Sequence, residues 1–187
     1  MARIATYQPP IVDCDPPGPP APPDYRALVV AYVESQLGVT DPTPYWMAVH
    51  GSVPIPAPGK RIHWCGAFAL MAIREAGLCD WQWSFAVRHP GFIWRIGWGA
   101  ATAEPQPGDV CYLERAQHHA IVERVDATRI ETIDGNTGRA PGIVSRKSRL
   151  RTRRGVHYYS ITALIGEAVS RMAGHDTDPC GPPESRP

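Results

Sequence analysis

The chain has 187 residues, enough for one domain with a real core plus tails. Its 19 basic and 18 acidic residues nearly cancel, so net charge gives no sign of a nucleic-acid or membrane partner. No stretch approaches the ~18 consecutive apolar residues of a membrane span, and residues 1–10 lack an apolar signal-peptide core. These features predict a soluble product made without Sec export. The 21 prolines exceed the usual share of about 5%. Five cysteines (Cys14, Cys65, Cys79, Cys111, Cys180) sit at irregular spacing, with no CxxC pair to suggest zinc or a redox couple.

Residues 9–23 are too proline-rich for helix or sheet and read as extended, so 1–23 is taken as a proline-rich N-terminal segment outside the fold. From Asp24, a candidate cap, the residues Tyr25, Leu28, Val29, Tyr32, Val33 and Leu37 mark an amphipathic helix stopped at Gly38. Residues 39–63 show no sustained periodicity and read as a long irregular loop delivering the chain to Cys65. A second helix begins there. Phe68, Ala69, Ala72, Ile73 and Ala76 follow Cys65 at offsets of three, four, seven, eight and eleven, and Gly77 is placed to cap it. A cysteine at a helix start meets unpaired N–H groups and the positive end of the helix dipole, which favour thiolate. The plain alternative is a small buried hydrophobe.

Trp81, Trp83, Phe85, Phe92, Trp94 and Trp98 follow; most are expected in the core, with one or two available to rim a groove. Pro105–Asp109 forms a turn that launches a strand at 110–113, and further strands are expected at 117–125, 129–134, 142–147 and 156–161. Short connections favour an antiparallel meander. Residues 139–154 hold six arginines and one lysine without an acid. They form either a solvated face or a patch for an anionic wall polymer through Arg146, Lys147, Arg149 and Arg151, with nucleic acid a lesser candidate. Ile161, Leu164, Ile165, Ala168, Val169 and Met172 make a last helical stripe over 161–173, before a polar, proline-rich tail at 174–187 that reads as disordered.

A cysteine nucleophile needs a histidine and a group to hold its ring. Strand alternation puts His118, Ala120 and Val122 on one face and His119, Ile121 and Glu123 on the other, so one histidine is expected to face the cysteine helix. A three-residue hairpin loop would set His118 opposite Asp134 or, shifted by one, near Asn136; a two- or four-residue loop would turn both away.

WCGAFAL, PGDVCYL, HHAIVERV, TIDGNTG and GIVSRKSR, in that order, resemble the cysteine, histidine-dependent amidohydrolase/peptidase (CHAP) family, closest to its bacterial and phage branch, over about residues 25–159. The resemblance implies an α+β, papain-like (CHAP/NlpC-type) fold over 24–160, with the nucleophile helix packed on an antiparallel β-sheet and an extra C-terminal helix. It places the nucleophile at Cys65, the base at His118, the acid at Asp134 and the amide at Asn136. Asp134 stands where the branch usually has glutamate, which shifts some of the orienting role towards Asn136. No aspartate-rich calcium loop is visible, so no metal or other cofactor is expected. The implied activity is cysteine-dependent cleavage of an amide bond in peptidoglycan, by an amidase or endopeptidase. A phage endolysin, a tail-associated lysin and a secreted effector are the delivery routes considered, acting at the cell wall after release or on a phage particle. Two rivals remain: an NlpC-type peptidase, with a second histidine as orienter, and a catalytically silent binding or virion module with the same fold.

Overall fold

A computed structural model describes residues 21–51, 63–78, 101–139 and 142–174. The expectations for residues 1–20, for the aromatic run between Trp81 and Trp98, for Cys14, Cys79 and Cys180 and for the tail fall outside them.

Helix α1 (Tyr25–Ser35) starts where its cap was expected: the Asp24 carboxylate accepts from the Ala27 N–H at 3.0 Å. Tyr25, Val29 and Val33 are its buried face, whereas Leu28 is 44% exposed and does not join the core. The expected loop at 39–63 instead contains helix α2 (Thr43–His50). Its signals are local: the Asp41 carboxylate accepts from the Thr43 N–H at 2.9 Å, a proline occupies the first turn, and Gly51 closes the helix at φ 68°. Helix α3 (Cys65–Glu75) is buried almost all round, and Gly77, at φ 78°, ends it. There the Leu78 N–H reaches back to the Ile73 carbonyl at 3.2 Å, a Schellman closure.

Six strands follow: β1 (Ala101–Thr102), β2 (Val110–Leu113), β3 (His118–Val125), β4 (Arg129–Thr137), β5 (Ile143–Leu150) and β6 (Val156–Tyr159). They form one sheet in the order β1-β6-β2-β3-β4-β5, and every pairing is antiparallel. The meander β2 to β5 is the expected one. Helix α4 (Thr162–Gly174) closes the described chain, with Leu164 and Ala168 packed into the core.

The sheet has two unlike faces. Val110, Tyr112, Ile121, Ile133 and Val144 meet the three N-terminal helices in the main core, which α4 completes. Cys111, Ala120, Val122, Ile130 and Tyr158 form a smaller cluster on the opposite face. Asp109 of the PGD turn, fully buried, ties these layers together. It accepts from Arg26 of α1 at 2.7 Å, from the Gln106 N–H at 2.8 Å and from the Ile161 N–H at 3.1 Å, ahead of α4. The motif is therefore a clamp between the first and last helices. No described helix is long and apolar enough to cross a membrane.

Register in the β3–β4 hairpin decides what faces what. Next to the turn, Val125 pairs with Ile130 and Arg124 with Glu131; beyond it, Val122 pairs with Thr132 and Ile121 with Ile133. Strand β3 thus takes two steps while β4 takes one, so Glu123 is a bulge. The turn itself is tight: the Asp126 N–H meets the Arg129 carbonyl at 2.9 Å, and the Asp126 carboxylate accepts from the Thr128 and Arg129 N–H groups. Such a turn alone would have put His118 and Asp134 on opposite faces. The bulge restores the match that a three-residue loop was expected to give.

Candidate active site

Cys65 is the first residue of α3 and is 4% exposed. The helix is held in place on both sides. Trp64 stacks on Tyr45 of α2 with centroids 5.2 Å apart and rings nearly parallel, and Phe68 meets both edge-on. Against the sheet, a Cβ built on Gly135 would lie 2.8 Å from Phe68 and 2.9 Å from Trp64, so only glycine lets β4 approach this closely. The sequence therefore brings the cysteine helix and the Asp-Gly-Asn segment into direct contact.

As alternation predicts, one histidine of the pair lies on the helix-facing side of β3: His119 pairs with Tyr112 and sits beside Ile121 in the main core, whereas His118 pairs with Leu113 on the side of Ala120 and Val122. His119, 2% exposed, projects from the helix-facing side of β3 and places Nδ1 3.8 Å from Cys65 Sγ, with its ring against Tyr112. His118 stands at the first position of the strand, directly after Gln117 in left-handed geometry (φ 48°, ψ 50°). Burial pushes the Cys65 thiol up, but hydrogen bonding and charge from His118 and then His119 overcome this and hold it well below the ordinary thiol range.

Asp134 reaches His118 despite its short side chain. It is 1% exposed, and His118 Nε2–H donates to its Oδ2 at 2.9 Å. An ionised carboxylate only accepts, so the proton of this bond sits on Nε2 and leaves Nδ1 to serve the thiol. Burial lowers the affinity of His118 for a proton, but the bonds to Asp134 and Cys65 outweigh it and raise the pKa from 6.5 to about 9.

Two residues that the sequence reading did not assign to the site hold Asp134. The Thr132 hydroxyl donates to Oδ1 at 2.6 Å, and the Arg149 guanidinium from β5 donates to both carboxylate oxygens. Burial favours the neutral acid, yet His118 and Arg149 together keep the Asp134 pKa below its usual value. Asn136 takes a different place. It lies in the irregular stretch between Asp134 and Thr137 with φ 61°, a conformation asparagine tolerates, and a Cβ on Gly142 would come 2.5 Å from its Oδ1.

Several side chains of the arginine-rich strand form ion pairs. Arg146 pairs with Glu123 and Glu34, Arg149 with Asp134 and Arg151 with Glu104. Of the four side chains proposed as a wall-polymer patch, Arg149 is the one turned inward to the site, Arg151 pairs with an exposed glutamate, and Arg146 and Lys147 stay exposed.

This layout has a cysteine at a helix start, a histidine at a strand start and a carboxylate one strand over. The family model described as CHAP domain matches residues 57–136, which include Cys65, both histidines, Asp134 and Asn136. Over that segment the chain is similar to a CHAP domain. No curated protein and no solved structure matches it. The CHAP match ends before β5, so Arg149 lies outside it. CHAP domains are amidases and peptidases of the peptidoglycan-hydrolase type, and the α+β fold with helices on an antiparallel sheet agrees with that family. The His118 partner is the Asp134 carboxylate rather than a second imidazole. Among the described residues no group of three or more His, Cys, Asp or Glu side chains is arranged to hold a metal ion.

Proposed function

We propose that this CHAP-like domain cleaves an amide bond of peptidoglycan by cysteine nucleophilic catalysis. The observation that carries the reading is geometric: a cysteine at the first position of α3, with a histidine at 3.8 Å, beside a His118–Asp134 pair bonded at 2.9 Å, and the lowered thiol and raised histidine agree with it. In this reading Cys65 and His118 act as a thiolate–imidazolium pair.

Cys65 Sγ attacks the carbonyl carbon, forming the C–S bond and a tetrahedral oxyanion. The Cys65 N–H lies in the first turn of α3, where helix N–H groups lack an intrahelical acceptor, and supports an oxyanion there. His118 gives its proton to the leaving nitrogen as the C–N bond breaks. It then takes a proton from the water that hydrolyses the thioester. Asp134 keeps the imidazole in the tautomer that allows both transfers, and Arg149 and Thr132 keep Asp134 from turning away.

A second base has one observation in its favour, the 3.8 Å approach of His119 Nδ1 to the sulfur. That length is within the range of a sulfur hydrogen bond, so His119 is the alternative base, while the 2.9 Å bond to Asp134 favours His118. The test is turbidity loss of purified cell walls with Cys65→Ala, His118→Ala and His119→Ala. The first two are expected to lose activity by about 10² or more, and the third to retain a measurable rate. If His119→Ala is dead and His118→Ala is active, the roles are reversed. Mass spectrometry of the digest then separates an amidase from an endopeptidase.

A further inference from the structure

On the face of the sheet away from α3, a pocket of about 140 Å³ is lined by Leu113, Arg115, Arg149, Arg153, Arg154 and Val156. Four guanidinium groups border one small space. Arg149 spends its charge on Asp134, whereas Arg115, Arg153 and Arg154 have no carboxylate partner among the described residues. Glu114, whose Oε2 would lie 3.5 Å from a Cβ on Gly155, pairs with His157. Arg115, Arg153 and Arg154 are solvent-exposed, so water screens their mutual repulsion and leaves their guanidinium groups open to an anion at the pocket.

Two lining residues connect the pocket to the catalytic pair. Leu113 is the β2 partner of His118, and Arg149 is the residue that fixes Asp134. We propose that this pocket is a substrate subsite that binds a free carboxylate of the peptide being cut, next to the His118–Asp134 pair. The proposal rests on the peptidoglycan reading, whose stem peptides carry such carboxylates. Planar guanidinium groups match a carboxylate in bidentate fashion. Leu113 and Val156 supply an apolar wall for the short aliphatic stem that carries it. The size favours one group over a polymer chain: it is close to an engineered cavity of about 150 Å³ that holds benzene.

The test uses the full chain in two arms. In the first, glutarate and inorganic phosphate are titrated separately at constant ionic strength while the arginine Nε–H resonances are followed. Glutarate is expected to give saturable shifts that vanish in Arg153→Gln/Arg154→Gln. Saturation by phosphate with none by glutarate would assign the pocket to a phosphate group and overturn the proposal, as would shifts no larger than those from chloride. In the second arm, native walls and walls with amidated carboxyl groups are digested. The double variant is expected to raise KM roughly tenfold on native walls and to add no loss on amidated ones. An equal loss on both substrates refutes the subsite. Saturable glutarate binding by a protein that cuts no wall keeps the carboxylate site and overturns the peptidoglycan reading alone.

Discussion

Replacing Asp134 by asparagine removes a charge while keeping the side chain's shape, and its consequences can be worked from the site. His118 rises from 6.5 to about 9 against its burial, through Asp134 and Cys65. At about 1.36 kcal/mol per unit this is a preference of about 3 kcal/mol for the imidazolium in the folded protein. The folded pKa lies above the unfolded one, so this stabilisation is complete below about pH 6.5 and is lost as pH rises through about 9. The base limb of kcat/KM, which reports loss of the imidazolium, is therefore expected near pH 9 in the native protein. In Asp134→Asn it should move down by a unit or more. The same change strands Arg149, whose side chain is 12% exposed, without its carboxylate. Breaking a buried pair costs about 3–5 kcal/mol, on the order of 10 °C in Tm for a chain of this size. Adding Arg149→Met removes the stranded charge, so the double variant should recover most of the Tm but not the displaced limb. A base limb that stays near pH 9 in Asp134→Asn would refute the assignment of Asp134 as the group that sets His118.

Two further outcomes are expected. Iodoacetamide at pH 7, read by peptide mass spectrometry, should alkylate Cys65 quickly and leave Cys111 untouched, because burial raises the Cys111 thiol to about 12; an inert Cys65 would favour the silent-module alternative. Gly135→Ala should cost roughly 1–3 kcal/mol in denaturant unfolding and reduce turnover more than Lys147→Ala does, since its Cβ would push into Phe68 and Trp64 beneath Cys65; unchanged stability would mean that α3 does not bear on β4.

What the sequence disclosed was what local pattern can carry. The Cys65 helix, its Gly77 closure and strands β2 to β5 follow from periodicity and turn chemistry, and each is found within a few residues of its expected place. Helix α2 was hidden by composition: its eight residues hold a proline and lie among others, so capping at Asp41 and Gly51 was outweighed by the apparent lack of a stripe. Arg149 was hidden by distance. It pairs with Ile130 across β4 and β5, yet its long side chain reaches two residues further along the same face, past Thr132, to Asp134. No sequence rule sends one arginine of a basic run inward to a carboxylate and leaves its neighbour Lys147 outside.

The hairpin shows why the face assignment of His118 could succeed while its stated cause did not. Matching His118 to Asp134 needs a particular parity between the two strands, and a turn is only one way to set it. Here the turn sets the wrong parity, and one extra residue at Glu123 corrects it before the strands reach the site. That residue is not idle: its carboxylate, 4% exposed, accepts from Arg146 of β5 at 2.6 Å, so the bulge is tied to the neighbouring strand. The same basic strand therefore fastens the site twice, through Arg146 at the bulge that sets the register and through Arg149 at the carboxylate that the register delivers. The catalytic geometry depends on β5, although the segment matching the CHAP model ends before it.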